Sequence, residues 1–227
     1  MKIHAILFDL DDTLWPVAPV IAGAEQALQA WIAEHYPAVA AAYDLAAWRQ
    51  RRNALIATDT RFSYDLWALR LTLLTQVFTE FGIPASAAEQ AMAVFADARN
   101  RVDLYPDVMD GLQNLAKLFR LGSVSNGFAD LHAIGLAHHF EVMLAAHQVG
   151  CAKPAPEIFC QAIHKLSLRP EQIVFVGDDV LLDVAGAQAV GMQTAWMRRH
   201  PAAQPAHPEI RADFEVENLH QLLKLLQ

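Results

Sequence analysis

Lys2 to Phe8 is a short, nearly continuous apolar run, and it stops at three carboxylates, Asp9, Asp11 and Asp12. A run with no alternating polar residues has no solvent face, so it reads as a strand buried on both sides. Such strands belong to parallel sheets covered by helices. Leu121 to Ser125, Ile173 to Gly177 and Gln193 to Met197 repeat the pattern, each followed by polar or glycine-containing turns, and Val142 to Ala146 is a weaker candidate. Helical patterns lie between them: Asp107 to Phe119, Pro156 to Leu166 and Leu181 to Val190, with a leucine-rich stretch from Glu217 to Leu226. Strand and helix alternate, so the expected fold class is α/β with a doubly wound parallel sheet.

The interval from about Val20 to Arg101 breaks the alternation. It holds no strand-like run and is dense in Ala, Leu, Gln, Glu and Arg, the composition of helices. Helices are expected over Val20–His35, Ala38–Ala57, Tyr64–Phe81 and Ser86–Arg99, separated by Pro37, by the polar stretch Thr58 to Ser63, and by Gly82 and Pro84. The chain therefore divides into an α/β core of residues 1–18 and 102–227 and an all-helical insert of residues 19–101. Trp31, Trp48 and Trp67, at helical spacing, read as core of the insert rather than as a stacking platform. Pro201 to Pro208 reads as a surface loop.

Hydrophobic residues make up 54% of the 227 and charged residues 19%, which supplies a core and excludes the disordered class. With 17 Lys and Arg against 25 Asp and Glu the net charge is -8, which makes nucleic acid a poor partner. No apolar run approaches the ~20 residues of a membrane span. The first apolar stretch is too short and too acidic for a signal peptide, so the expected location is cytoplasmic. Cys151 and Cys160 lack CxxC spacing and read as free thiols. The ten histidines show no metal-ligand spacing, and His138-His139 reads as an exposed turn.

In a parallel sheet, ligands gather at the carboxyl ends of the strands, and Asp9 and Asp11 at i and i+2 can face one crevice there. Another strand ends in Gly177-Asp178-Asp179, with Asp183 following. Acids converging on one crevice repel each other unless a cation sits among them, and oxygen ligands without His or Cys favour Mg2+. Ser125-Asn126-Gly127 offers a hydroxyl and turn amides, and Lys153-Pro154 supplies a positive charge. Anion donors beside a metal suit a phosphoryl group.

These residues resemble the haloacid dehalogenase-like (HAD) hydrolase superfamily. Its motifs occur in order: DxDxT as Asp9, Asp11 and Thr13; the strand-ending hydroxyl as Ser125; the lysine as Lys153; and GDxxxxD as Gly177, Asp178 and Asp183. The resemblance implies a phosphatase in which Asp9 attacks phosphorus and Asp11 serves as acid and base. It implies Mg2+ held by Asp9, the Asp11 carbonyl, Asp178 and Asp183, and phosphoryl oxygens bound by Ser125 and Lys153, with Thr13 and Asn126 among the phosphate-binding candidates. The plain alternatives are a turn cap for Asp12 and Thr13, a helix N-cap for Asp183, a turn hydroxyl for Ser125 and a solvated lysine for Lys153. Asp179 is an extra acid with no assigned role.

In this family the insert would be a cap that selects leaving groups. Arg49, Arg51, Arg52, Arg61 and Arg70 are either candidates to meet a second anionic group or solvated helix-face arginines. The expected substrate is a small phosphomonoester and the expected assembly a monomer or homodimer. Rival readings are a 2-haloacid dehalogenase, a phosphomutase and a non-catalytic phosphoacceptor module resembling a response-regulator receiver.

Overall fold

The computed structural model describes residues 2–200 and 207–227. The chain forms two compact units, one comprising Met1–Pro16, Asp103–Gly127 and Leu131–Gln227, the other Val17–Val102 with Phe128–Asp130.

The first unit is built on a sheet of strands β1 (Ala5–Phe8), β2 (Arg120–Ser125), β3 (Val142–Ala145), β4 (Ile173–Gly177), β5 (Gln193–Met197) and β6 (Phe214–Val216). The order is β3-β2-β1-β4-β5-β6 and every pairing is parallel. All four residues of β1 and all five of β4 are buried, which is what an apolar run without alternation requires. Phe8 pairs with Ser123 of β2 and with Val176 of β4. That register brings Asp9, Ser125 and Asp178 to one edge of the sheet, where β1 lies between a consecutive and a non-consecutive neighbour. The weaker strand candidate is β3, continued by a short helix, Ala146–Val149. β6, of only three residues, was not expected.

Three helical expectations change in this unit. Val108–Ala116 and Leu219–Leu226 are shorter than read, the latter starting where Asn218 accepts from the Gln221 amide at 2.9 Å. The stretch expected as one helix from Leu181 to Val190 is a π-turn, Val180–Ala185, followed by Gly186–Ala189. Its winding opens where Asp179 accepts from the Leu181 and Leu182 amides and Asp183 turns inward. His138 and His139 lie in a single 3-10 turn, with His138 exposed and His139 half-buried. The expected loop Pro201 to Pro208 lies, up to residue 206, outside the described residues.

The second unit contains helices α1 (Val17–His35), α2 (Pro37–Ala42), α3 (Leu45–Ile56), α4 (Leu66–Glu80) and α5 (Ser86–Arg99). The reading of one helix from Ala38 to Ala57 is corrected to two: Tyr43 is extended and Asp44 caps a new start by accepting from the Ala47 amide at 2.8 Å. Asp65 begins α4 the same way, from the Ala68 amide. Leu28, Ile32, Leu69, Phe78 and Phe95 share one core with Trp48, and Trp31 and Trp67 pack against it. Among the described residues no helix is long and apolar enough to cross a membrane.

Candidate active site

β1 delivers Asp9 to the sheet edge, where its amide donates to the Val176 carbonyl at 2.8 Å. The chain then folds into a tight loop: Leu14 donates to the Leu10 carbonyl, and Asp12, at φ +58°, donates to the Trp15 carbonyl. A left-handed residue without a Cβ penalty is usually Gly; Asp tolerates the conformation because its short side chain bonds locally. Beside this loop lies a crevice lined by Asp9, Asp11, Asp12, Ser125, Asn126, Lys153, Asp178 and Asp183, among others.

The electrostatic centre is Lys153. Its Nζ lies 2.5 Å from Asp9 Oδ1 and 2.6 Å from Asp183 Oδ1, with the lysine side chain only 3% exposed. Burial alone would lower the pKa of this ammonium; the charges and hydrogen bonds of Asp183 and Asp9 outweigh it and hold the lysine protonated. Burial raises Asp9 well above the usual carboxylate range, with Asp183 and Asp178 adding to it and Lys153 opposing. Asp183 is likewise raised by burial. Burial, Asp183 and Asp12 together push Asp178 up to about 7. Carboxylate oxygens of Asp9, Asp178 and Asp183 come within 4.8 Å of one another. One lysine does not neutralise that much negative charge, and a hard cation accepting oxygen ligands fits the donor set.

The other sequence candidates divide into two groups. Ser125 lines the crevice, 3% exposed, and its Oγ accepts from the Gly127 amide at 3.0 Å. Asn126 clasps the lysine loop, its Oδ1 accepting from the Lys153 amide at 2.7 Å and its Nδ2 donating to the Lys153 carbonyl at 3.0 Å. Thr13 is fully buried, outside the crevice lining, with its hydroxyl 3.3 Å from Asp178 Oδ1. Asp12, read as a turn cap, also lines the crevice. Asp179 caps the π-turn, and its amide donates to Asp183 Oδ2 at 3.1 Å. Gly177 is needed here because a Cβ would sit 2.2 Å from Asp183 Oδ2.

Three neighbours were not read from the sequence. The fully buried Trp15 donates its indole N–H to Asp11 Oδ1 at 2.8 Å, and Trp196 donates to the Asp178 carbonyl at 2.7 Å. Arg199 Nε donates to the Thr13 carbonyl at 2.8 Å while its guanidinium pairs with Asp107 at 2.7 Å. Trp15 carried a signal, being a polar-tipped aromatic four residues after Asp11; Arg199 is 186 residues from Thr13 and carried none.

The chain is 32% identical over 201 residues to the 5-amino-6-(5-phospho-D-ribitylamino)uracil phosphatase YigB of Escherichia coli K12, covering 87% of this chain and 84% of that protein. It is 28% identical to a glyceraldehyde 3-phosphate phosphatase of Methanopyrus kandleri, covering 99% and 97%. Among solved structures, a 2-haloacid dehalogenase from Pseudomonas syringae pv. Tomato DC3000 superposes with a TM-score of 0.93 at 35% identity, over 99% of this chain and 98% of that one. Residues 3–191 match the family model for haloacid dehalogenase-like hydrolases, so the chain belongs to that family.

Proposed function

We propose that the protein is a magnesium-dependent phosphatase that hydrolyses a small phosphomonoester through an aspartyl-phosphate. The observation that carries this is the joining of Asp9, Asp178 and Asp183 around Lys153 at the ends of β1 and β4. The names of the two phosphatase relatives support it.

In this reading an Asp9 carboxylate oxygen forms a bond to phosphorus as the ester P–O bond breaks, and Asp11 gives its proton to the departing oxygen. Asp11 then takes a proton from water, whose oxygen attacks phosphorus and frees phosphate and the Asp9 carboxylate. Lys153 and Ser125 bind phosphoryl oxygens, and Asn126 fixes the lysine loop from both sides. Asp9, Asp178, Asp183 and the Asp11 carbonyl would hold Mg2+, which supplies charge neutralisation when bound. Thr13 steadies Asp178 rather than meeting substrate. The helical unit acts as the cap that admits leaving groups.

The dehalogenase name attached to a 35% identical structure favours a second reading, displacement at carbon. That chemistry needs neither an acid at Asp11 nor a metal among carboxylates, and this chain has the residues for both. One panel decides: phosphomonoesters with Mg2+ assayed for phosphate, and 2-haloacids assayed for halide. Phosphate release alone supports the phosphatase; halide release alone overturns it.

A further inference from the structure

The helical unit has a partly open cavity between α1, α3 and α4. Arg49 and Arg52 of α3 and Arg70 of α4 line it against a single carboxylate, Glu25 of α1. Three guanidinium groups against one carboxylate leave two positive charges in excess, in a chain whose net charge is -8. Arg70 is the least solvated, its side chain 22% exposed and its guanidinium 3.7 Å from the Phe95 ring centroid. Glu25 Oε1 stands 3.7 Å from it, the outer edge of an ion pair. Burial lowers the Arg70 pKa to about 10, Glu25 opposing and Arg52 adding to the drop. Among the described residues, no hydrogen bond or ion pair holds the side chain of Arg49 or Arg52.

Two further features point to a ligand. Trp48 also lines the cavity and is 8% exposed, yet its buried indole N–H has no acceptor. A buried donor without an acceptor is costly to keep unless something supplies one. Leu45, at the same cavity, leaves 48% of its surface exposed. Unpaired donors, excess positive charge and uncovered apolar surface thus share one concavity.

We propose that this cavity is a second ligand site, for a small organic anion carrying a phosphoryl, sulfonyl or carboxyl group on an apolar body. The anionic group sits on Arg52, Arg49 and Arg70, the body covers Leu45, and Trp48 donates its indole N–H to the ligand. The site does not depend on the phosphatase reading. Its ligand is either part of a substrate's leaving group or a separate effector.

The test is calorimetric titration of the full chain with phenylphosphonate, a non-hydrolysable aromatic anion, and with benzyl alcohol as its neutral counterpart. Phenylphosphonate should bind saturably and benzyl alcohol should not. Arg52→Gln and Arg49→Gln, exposed positions that tolerate the change, should each weaken binding by about tenfold, and Trp48→Phe should weaken it by less. Circular dichroism of each variant checks that the fold is kept. No saturable binding at millimolar phenylphosphonate, equal binding of benzyl alcohol, or undiminished binding in both arginine variants overturns the site; the last outcome would put the anion on the Lys153 crevice. If the variants lose binding, phosphate-release assays separate the sources. A KM raised only for phosphomonoesters with a second anionic group identifies a leaving group, and an unchanged KM identifies an effector. A chain that hydrolyses no phosphomonoester but binds phenylphosphonate through Arg52 keeps the site and loses the phosphatase.

Discussion

Lys153 puts one buried ammonium against two buried carboxylates, so removing it leaves like charges facing each other in a poorly solvated place. Lys153→Met should therefore destabilise the chain by about 3 kcal/mol or more in urea denaturation as well as stopping phosphate release. An unchanged midpoint would mean the lysine does not hold the site together. Asp9→Asn behaves oppositely: the amide keeps the shape but cannot form an acyl-phosphate, so the fold should persist while turnover disappears. Wild-type phosphate release from that variant would falsify the nucleophile assignment. Trp15 acts one step back, holding Asp11 Oδ1 so that the acidic proton is left to Oδ2. Trp15→Phe should slow alkyl phosphates by about tenfold and aryl phosphates much less, because phenolate hardly needs protonation. A uniform loss across leaving groups would make the tryptophan merely structural.

At the scale of elements, the turn after β4 depends on one missing side chain. Gly177→Ala would drive a methyl to within 2.2 Å of Asp183, so the carboxylate must move and its bond to Lys153 must lengthen. A loss of about 2 kcal/mol in stability is expected, with weaker metal binding. In the helical unit, Arg51 bridges α3 to Glu80 and Tyr43, and its hydrogen bond holds Glu80 below its ordinary 4.5. A depressed carboxyl pKa contributes stability above about 4.5 that is lost as pH falls through the folded value. Glu80→Gln should thus lower the melting temperature at pH 7 and leave it unchanged at pH 3; equal shifts at both would deny the pair its role. The strands were legible because an apolar run has few other places to go, and the end of β1 carried its chemistry in adjacent residues. The break at Asp44 was not, since alanine-rich sequence on both sides reads as one helix, although an Asp three residues before Ala47 was a usable cap signal. β6 has three residues, too few for a period to show.

Across the whole molecule the crevice is a product of topology: Lys153 reaches Asp9 across 144 residues of chain and Asp183 across 30, and only the parallel register at β1 makes these one site. Asp9, Ser125 and Asp178 were legible from sequence because each sits at or just past a strand end, while two of the partners that fix the site carry no local pattern: Trp196 lies within β5 and Arg199 just after it. A ligand that binds only the folded arrangement stabilises all of it, by about 2.7 kcal/mol at a hundredfold excess over Kd. Mg2+ should accordingly raise the melting temperature of chelator-treated protein, and the rise should vanish in Asp178→Asn, which removes one of the three clustered carboxylates without disturbing the Lys153 pairs. Phosphate release should follow the same dependence, absent after chelation and restored by Mg2+. Calcium is a useful counter-test: it accepts the same oxygen donors with looser geometry, so it should protect against heat while supporting turnover poorly. Full phosphate release after exhaustive chelation, with no thermal response to Mg2+, would remove the metal from the mechanism and leave Lys153 as the only charge on the phosphoryl group.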